Sequence, residues 1–365
     1  MEAPSPGPEH ERFISWAKDE LGVTIDGVTA AKFPGRGLGS KHVKDARLPK
    51  DATVHARLAA YLTLMDGKKD SPHRIWQPVW PKKEEFEAIM PMNWEERQKE
   101  LLPAHAKNLL QKQQDKFDVD WEALKDNLPD KEHRDMYVYY WMVVNTRTFY
   151  WDYPTTSRTG KQQVKRRKLA ADDCMALCPF MEYFNHADEG CTVDHDLKGF
   201  TVTCNREYKP GEEVFFSYGP HSNDFLLVEY GFVLEPNKWD DTKVDEIILP
   251  KLYRAQMEAL DERGFLGDYT IDNAQFCYRT QVALRALVLP GNTWRRFADG
   301  FDEGDRERDS VNERLVQILK QYERDIDKID KKVQALPESD RRSTLQKRWD
   351  QIRTIIGALL VQVEG

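Results

Sequence analysis

The sequence predicts an α+β protein: a strand-bearing core interrupted by helices, then an all-helical C-terminal domain. Three observations predict it. Strand-like texture is confined to residues 23–40 and 175–233, with helical patterning over 54–150 between them. Strands and helices do not alternate one for one, which disfavours a doubly wound parallel sheet. Beyond Leu234 apolar residues recur at three- and four-residue steps, the period of a helix face.

Taken in order, residues 1–9 carry three prolines and a glycine and are expected to be a disordered leader. Phe13, Trp16, Ala17 and Leu21 then mark a short amphipathic helix closed by Gly22. The segment VTIDGVTAAKFPGRGLGS (23–40) is strand-like and punctuated by Gly27, Pro34, Gly35, Gly37 and Gly39. VHARLAAYLTLM (54–65) reads as a helix, and residues 81–151 read as mostly helical, ending in the apolar RDMYVYYWMVVNTRTFYW, a core segment. Residues 152–173 break the pattern with an exposed loop that includes the basic run KQQVKRRK (161–168). Short strands and turns follow from Met175 to Val233: FTVTCNREY alternates, KPGEE is a turn, and VFFSYG is a buried strand. Apolar stripes over 311–336 and 345–363, separated by PESD (337–340), predict a long antiparallel helical hairpin.

Composition narrows the classes of function. A chain of 365 residues buries a sizeable core without disulfide staples. Aromatics at 11%, ten Trp among them, argue against wholesale disorder. No apolar run approaches the roughly 20 residues of a membrane span, and MEAPSPGPEHERF shows no secretory signal. Five cysteines without an export signal suit reduced thiols, so a cytoplasmic or nuclear location is expected. A net charge of −8 argues against direct nucleic-acid binding and suits a basic protein partner.

Several kinds of chemistry are absent. The chain has no G-x-x-x-x-G-K-[ST], no G-x-S-x-G and no H-E-x-x-H. GRGLGS at 35–40 lacks the glycine spacing of a dinucleotide loop, and KHVKDARLPK after it makes a poor helix. Cys174, Cys178, Cys191 and Cys204, with His186 and His195 between them, fit no paired zinc spacing, so no metal is expected.

Two strings carry more information: PFMEYFNHADEGC (179–191) and GEEVFFSYGPHSNDFLLVEYGFV (211–233). Asn-His, an alternating strand, G-E-E-V-x-x-S-Y-G and then Y-G-F resemble the SET-domain protein methyltransferases. The match is to the branch of the plant Rubisco large-subunit lysine methyltransferase, which has a helical insert and a helical C-terminal domain. In that branch GRGLG (35–39) looks like the first cofactor-binding turn and NTRTFYW (145–151) like the arginine segment. The resemblance covers about residues 11–40 and 52–235. It implies a SET domain over 10–240 with its helical insert at about 55–150. It also implies a substrate-binding-like domain over 241–365.

The resemblance implies S-adenosyl-L-methionine as cofactor, lined by Arg36, Gly37 and Leu38, with Arg147 on its carboxylate and Asn185 and His186 hydrogen-bonding it. A guanidinium fork suits a carboxylate. Tyr218 is implied as the catalytic residue. Glu182, Arg147, Tyr218 and Tyr230 are implied on the acceptor side. A lysine, with a pKa of about 10.4, must lose its proton before it attacks a methyl group, and a dry channel facing a sulfonium lowers that pKa. The implied activity is methylation of a lysine on a non-histone protein by a monomeric enzyme, with histidine a second open acceptor.

The sequence departs from the family in three places. GLGS runs almost directly into KHVKDARLPKDATVH, without the usual second strand; Trp151 stands where a basic residue is common; and Glu182 replaces the commoner Asp. The shortened N-terminal half leaves an alternative of another class open: a non-catalytic SET-like interaction module.

Overall fold

The computed structural model describes residues 7–25, 48–49, 52–128, 130–150, 174–196, 199–272 and 275–364, and its first element follows from one apolar face. Helix α1 (Pro8–Asp19) buries Phe13 and Ala17 completely and begins on a proline, whose fixed φ suits a first turn. Gly22 follows at φ +67, a left-handed conformation that costs glycine little. The end of the expected disordered leader, residues 1–9, is instead helix, and residues 1–6 lie outside the described residues. Pro8 and Glu9 are already helical, with Glu9 and Glu11 placed favourably at the positive end of the first turn. Residues 23–25 are not strand, and the remainder of the expected 23–40 segment, Arg36, Gly37 and Leu38 included, lies outside the described residues. So does the basic run 161–168.

The expected insert is helical. It comprises α2 (Val54–Met65), α3 (Lys83–Ile89), α4 (Glu96–Lys99), α5 (Ala104–Leu124) and α6 (Lys131–Arg147). Thr53 caps α2 by accepting from the Ala56 N–H at 3.0 Å, and its hydroxyl donates to Asp120 Oδ1 at 2.9 Å. Asp120 also accepts from Trp141 Nε1 at 2.9 Å, and His55 stacks on Trp141 with centroids 4.4 Å apart. α6 packs on α2 and buries Tyr137, Tyr140, Trp141, Met142, Val143 and Val144, as its apolar sequence predicts.

Strands β1 (Thr148–Tyr150) and β2 (Met175–Leu177) form an antiparallel pair. β3 (Asn185–His195), β4 (Phe200–Thr203) and β5 (Phe215–Phe216) form a three-stranded sheet in the order β4-β3-β5. β4 runs antiparallel to β3, and β5 runs parallel to it. Asn185 faces Phe215, His186 faces Phe216, and β3 then bulges so that Cys191 also faces Phe216. Gly190 makes this possible. A Cβ there would sit 2.5 Å from the Phe215 carbonyl oxygen and 2.7 Å from Phe216 Cα, so only hydrogen fits. KPGEE turns as expected, its Glu212 N–H reaching the Lys209 carbonyl at 3.0 Å.

α7 (Asn223–Tyr230) falls in a segment read from sequence as strands and turns. The Asn223 N–H at its start is satisfied by Asp240 Oδ1 at 2.8 Å, and Gly231 ends it at φ +80. After it come β6 (Asp241–Lys243), α8 (Asp245–Ile248), α9 (Arg254–Asp261), β7 (Thr270–Asp272), α10 (Tyr278–Val288) and α11 (Gly291–Ala298). The chain ends in α12 (Arg308–Gln334) and α13 (Asp340–Glu364). β6 and β7 pair antiparallel, which corrects the expectation of an all-helical C-terminal domain. The hairpin matches its prediction. Val311, Leu315, Ile318, Tyr322, Ile326 and Val333 are buried on α12, and Leu345, Trp349, Ile352, Ile356 and Leu359 on α13. Arg353 of α13 pairs with Asp327 and Asp330 of α12.

The chain divides into two compact units: Met1–Glu87 with Lys112–Pro220, and Ala88–Gln111 with His221–Gly365. The second unit takes up its last stretch at His221, ahead of the residue 240 at which the sequence places a domain boundary. Arg348, 0% exposed, explains why. Its Nε meets Asp224 Oδ1 and its Nη1 meets Asp240 Oδ2, each at 2.7 Å, while Nη2 donates to the Asp241 carbonyl at 2.9 Å. Residues 224–241 are pinned to α13 by this cation and by buried Leu226, Leu227 and Val228.

Candidate active site

The first unit gathers its polar residues around the start of β3. Phe180, at φ +72, and a single 3-10 turn (Met181–Tyr183) redirect the chain from β2 into β3. Glu182 in that turn is buried, and its Oε1 accepts from Trp76 Nε1 at 2.8 Å. Trp76 is itself fully buried against Phe13 and Trp16, with centroids 5.6 Å away in each case. An aromatic cluster from α1 and the insert therefore holds the carboxylate.

Asn185 and His186 come next. Asn185 Nδ2 donates to Glu213 Oε1 at 2.6 Å, tying the start of β3 to the residue two before β5. His186 is buried, and its Nδ1 accepts from the backbone N–H of Tyr218 at 3.0 Å, which places the ring proton on Nε2. The Tyr218 hydroxyl donates to the Phe184 carbonyl at 2.9 Å, and its ring lies 5.1 Å from that of His186. Tyr218 is thus held at both ends by the residues either side of Asn185.

Arg147 ends α6. Its Nε is buried without a hydrogen-bond partner, and the side chain forms no hydrogen bond or ion pair with a described residue. Burial pulls its pKa below the ordinary value, while Tyr218 and Glu182, then Tyr139 and Glu85, act in the opposite direction. A desolvated cation with an unused donor is costly to keep alone and suits an incoming anion. This observation fits an anionic cofactor group better than a purely structural role.

Five of the residues singled out from sequence, Arg147, Glu182, Asn185, His186 and Tyr218, therefore lie in one unit; Tyr218 and Glu182 act on Arg147, Tyr218 meets His186, and Asn185 bonds Glu213. Tyr230 belongs to the second unit, half-buried at the end of α7 with its ring 6.4 Å from Phe225 and 6.2 Å from Phe232. Sequence reading missed Trp76, Glu213 and the Phe184 carbonyl. The acidic pair of GEEV was visible, but nothing local says which of its carboxylates reaches Asn185. Among the described residues no group of three or more His, Cys, Asp or Glu side chains could hold a metal ion. No described helix is long and apolar enough to cross a membrane.

Comparison with known proteins agrees with this arrangement. Residues 63–219 match the family model of the SET domain, and residues 240–362 match that of the Ribosomal lysine N-methyltransferase 2 C-terminal domain. Ribosomal lysine N-methyltransferase set11 of Schizosaccharomyces pombe is 29% identical over 234 residues, covering 60% of this chain and 57% of that protein. Ribosomal lysine N-methyltransferase 2 of Saccharomyces cerevisiae is 25% identical over 315 residues, covering 72% of this chain and 63% of that protein. The chain thus spans under two thirds of the length of either relative. Among solved structures, Rubisco LSMT bound to sinefungin and monomethyllysine aligns with a TM-score of 0.62 at 16% identity, over 98% of this chain and 92% of that one. That likeness establishes the fold.

Proposed function

We infer, from a chain that carries a SET domain ahead of a C-terminal domain of the ribosomal lysine N-methyltransferase 2 type, that it methylates lysine on a protein. One observation carries the reading: Tyr218 is clamped between the His186 imidazole and the Phe184 carbonyl in the unit that holds Arg147, whose buried Nε has no hydrogen-bond partner among the described residues. S-adenosyl-L-methionine, when bound, supplies a methyl group on a positively charged sulfur. Arg147 would hold its carboxylate and Asn185 and His186 its polar edge, with Arg36, Gly37 and Leu38 added by resemblance.

The chain's own residues prepare the acceptor. The Tyr218 hydroxyl spends its proton on the Phe184 carbonyl, so it would meet an amine as an acceptor. An amine that donates to this oxygen is oriented along one direction, which is the larger part of what positioning supplies. A lysine ammonium brought into a dry channel that faces a positively charged sulfur would lose water and meet a like charge, and both effects lower its pKa. The proton then leaves to solvent before the amine reacts.

The substrate is a ribosomal protein, as the names of the two relatives suggest, and the second unit recognises its folded surface. The enzyme acts as a monomer in the cytoplasm or nucleus and needs no direct contact with nucleic acid. Calorimetry with S-adenosylhomocysteine, followed by transfer of labelled methyl to purified ribosomal proteins, tests the reading. Heat of binding and one labelled lysine are expected. A folded chain that gives neither is a non-catalytic module.

A further inference from the structure

Cys191 and Cys204 stand opposite each other where the β3–β4 pair ends. The register sets Thr192 against Thr203 and His195 against Phe200, and one further step sets Cys191 against Cys204. Directly opposed antiparallel residues have Cα atoms about 4.5–5.5 Å apart, within the roughly 4.4–6.8 Å that a disulfide spans. The side chains meet as well. Cys191 acts on the Cys204 thiol, and its Sγ lies 3.7 Å from Tyr208 Oη and 3.9 Å from Oδ1 of Asn205, the residue after Cys204. Both are free thiols in this structure, Cys204 exposed and Cys191 buried. One sulfur is therefore open to a solute, and the other is reached from the first.

We propose that Cys191 and Cys204 form a reversible dithiol–disulfide site, oxidised by a low-molecular-weight disulfide of the oxidised-glutathione class. The Cys204 thiolate attacks one sulfur of oxidised glutathione, breaking its S–S bond and releasing one glutathione thiolate. Cys191 then gives its proton to water and attacks Cys204 Sγ, expelling the second glutathione and closing the protein disulfide. The protein loses two electrons and two protons, and the small disulfide is reduced to two thiols. Desolvation and the Cys191 thiol push the Cys204 thiol up, so little of it is thiolate at neutral pH and the first attack is slow. Cys191 also faces Phe216, two residues before Tyr218, so the crosslink falls on the strand that carries Asn185 and His186. This inference stands apart from the reading of methyl transfer.

The full chain is incubated with excess oxidised glutathione, its remaining thiols are alkylated, and it is digested with trypsin without reductant. Cleavage at Lys198 separates the two cysteines, so a disulfide appears as one linked peptide pair by mass spectrometry. The expected result is a Cys191–Cys204 linkage, undone by dithiothreitol. Cys191→Ser should stop at a glutathione adduct on Cys204, and Cys204→Ser should leave Cys191 unmodified. Circular dichroism establishes that both variants fold. A parent that stops at the Cys204 adduct, or alkylates at both positions, overturns the proposal.

Discussion

Tyr218 and Phe184, 34 residues apart in sequence, are joined by a hydrogen bond of 2.9 Å from phenol to carbonyl. The bond commits the only proton the phenol can donate and leaves its oxygen as an acceptor aimed by a fixed backbone. Tyr218→Phe removes that acceptor and nothing that touches adenosine. Methyl transfer should fall about 10²–10³-fold, the usual loss for one well-placed polar group in a site of this kind. S-adenosylhomocysteine affinity should stay near that of the parent. Transfer kinetics beside calorimetry check this, and undiminished transfer would displace Tyr218 from its role.

Arg147 is desolvated and its Nε has no hydrogen-bond partner among the described residues, so its removal should act in opposite directions on folding and on binding. Arg147→Met keeps the aliphatic bulk and discards the buried charge. The ligand-free protein should melt at a higher temperature. Binding of S-adenosylhomocysteine should weaken by about 1.5–3 kcal/mol, the worth of hydrogen bonds to a charged group. A lower melting temperature would mean that Arg147 serves the fold instead.

Arg348→Met strands Asp224 and Asp240 as buried carboxylates without their cation. Breaking a buried pair in this way typically costs about 3–5 kcal/mol. The loss should shrink when Asp224→Asn and Asp240→Asn are added, and the single variant should recover stability as acid neutralises the carboxylates. Denaturant melts at several pH values measure both effects.

Burial lowers the pKa of His55 to about 3 and that of His73 to about 4. For each, the unfolded chain binds the proton that the folded chain refuses. Their contribution is therefore complete above the unfolded value of about 6.5 and is lost as pH falls towards 4, at up to about 1.4 kcal/mol per pH unit for each histidine. Asp241, raised to about 6 by desolvation, works the other way between its unfolded value and pH 6. His55→Gln should flatten the acid limb below pH 6 even if it lowers stability at pH 7. An unchanged slope would mean that His55 charges freely in the folded state.

What could be read from sequence was whatever one element reveals by itself. α2, α12 and α13 announce themselves because each repeats an apolar face, and PESD cannot continue the helix before it. α7 did not, since Leu226, Leu227 and Val228 are buried side by side and show no helical stripe. β6 and β7 have three residues each and meet across a gap containing two helices, too short and too distant for alternation to show. That the second unit takes in residues 221–240 has the same origin, because Arg348 lies 124 residues from Asp224 and 108 from Asp240. At the site, Asn185, His186 and Tyr218 were legible as motif residues. The bond from Trp76 to Glu182 crosses 106 residues, and only folding discloses it.

β3 has neighbours of two different histories. β4 follows it almost at once, so their ladder closes a short loop and can zip early; β5 pairs in parallel across the longer stretch from Asn185 to Phe215, a larger loop with a later reward. Until β5 slides in beside Gly190, the Tyr218 amide has no imidazole to meet and Asn185 no carboxylate. The proposed centre therefore waits on β5 and not on the β3–β4 hairpin. A population caught midway would carry an intact hairpin and no working centre.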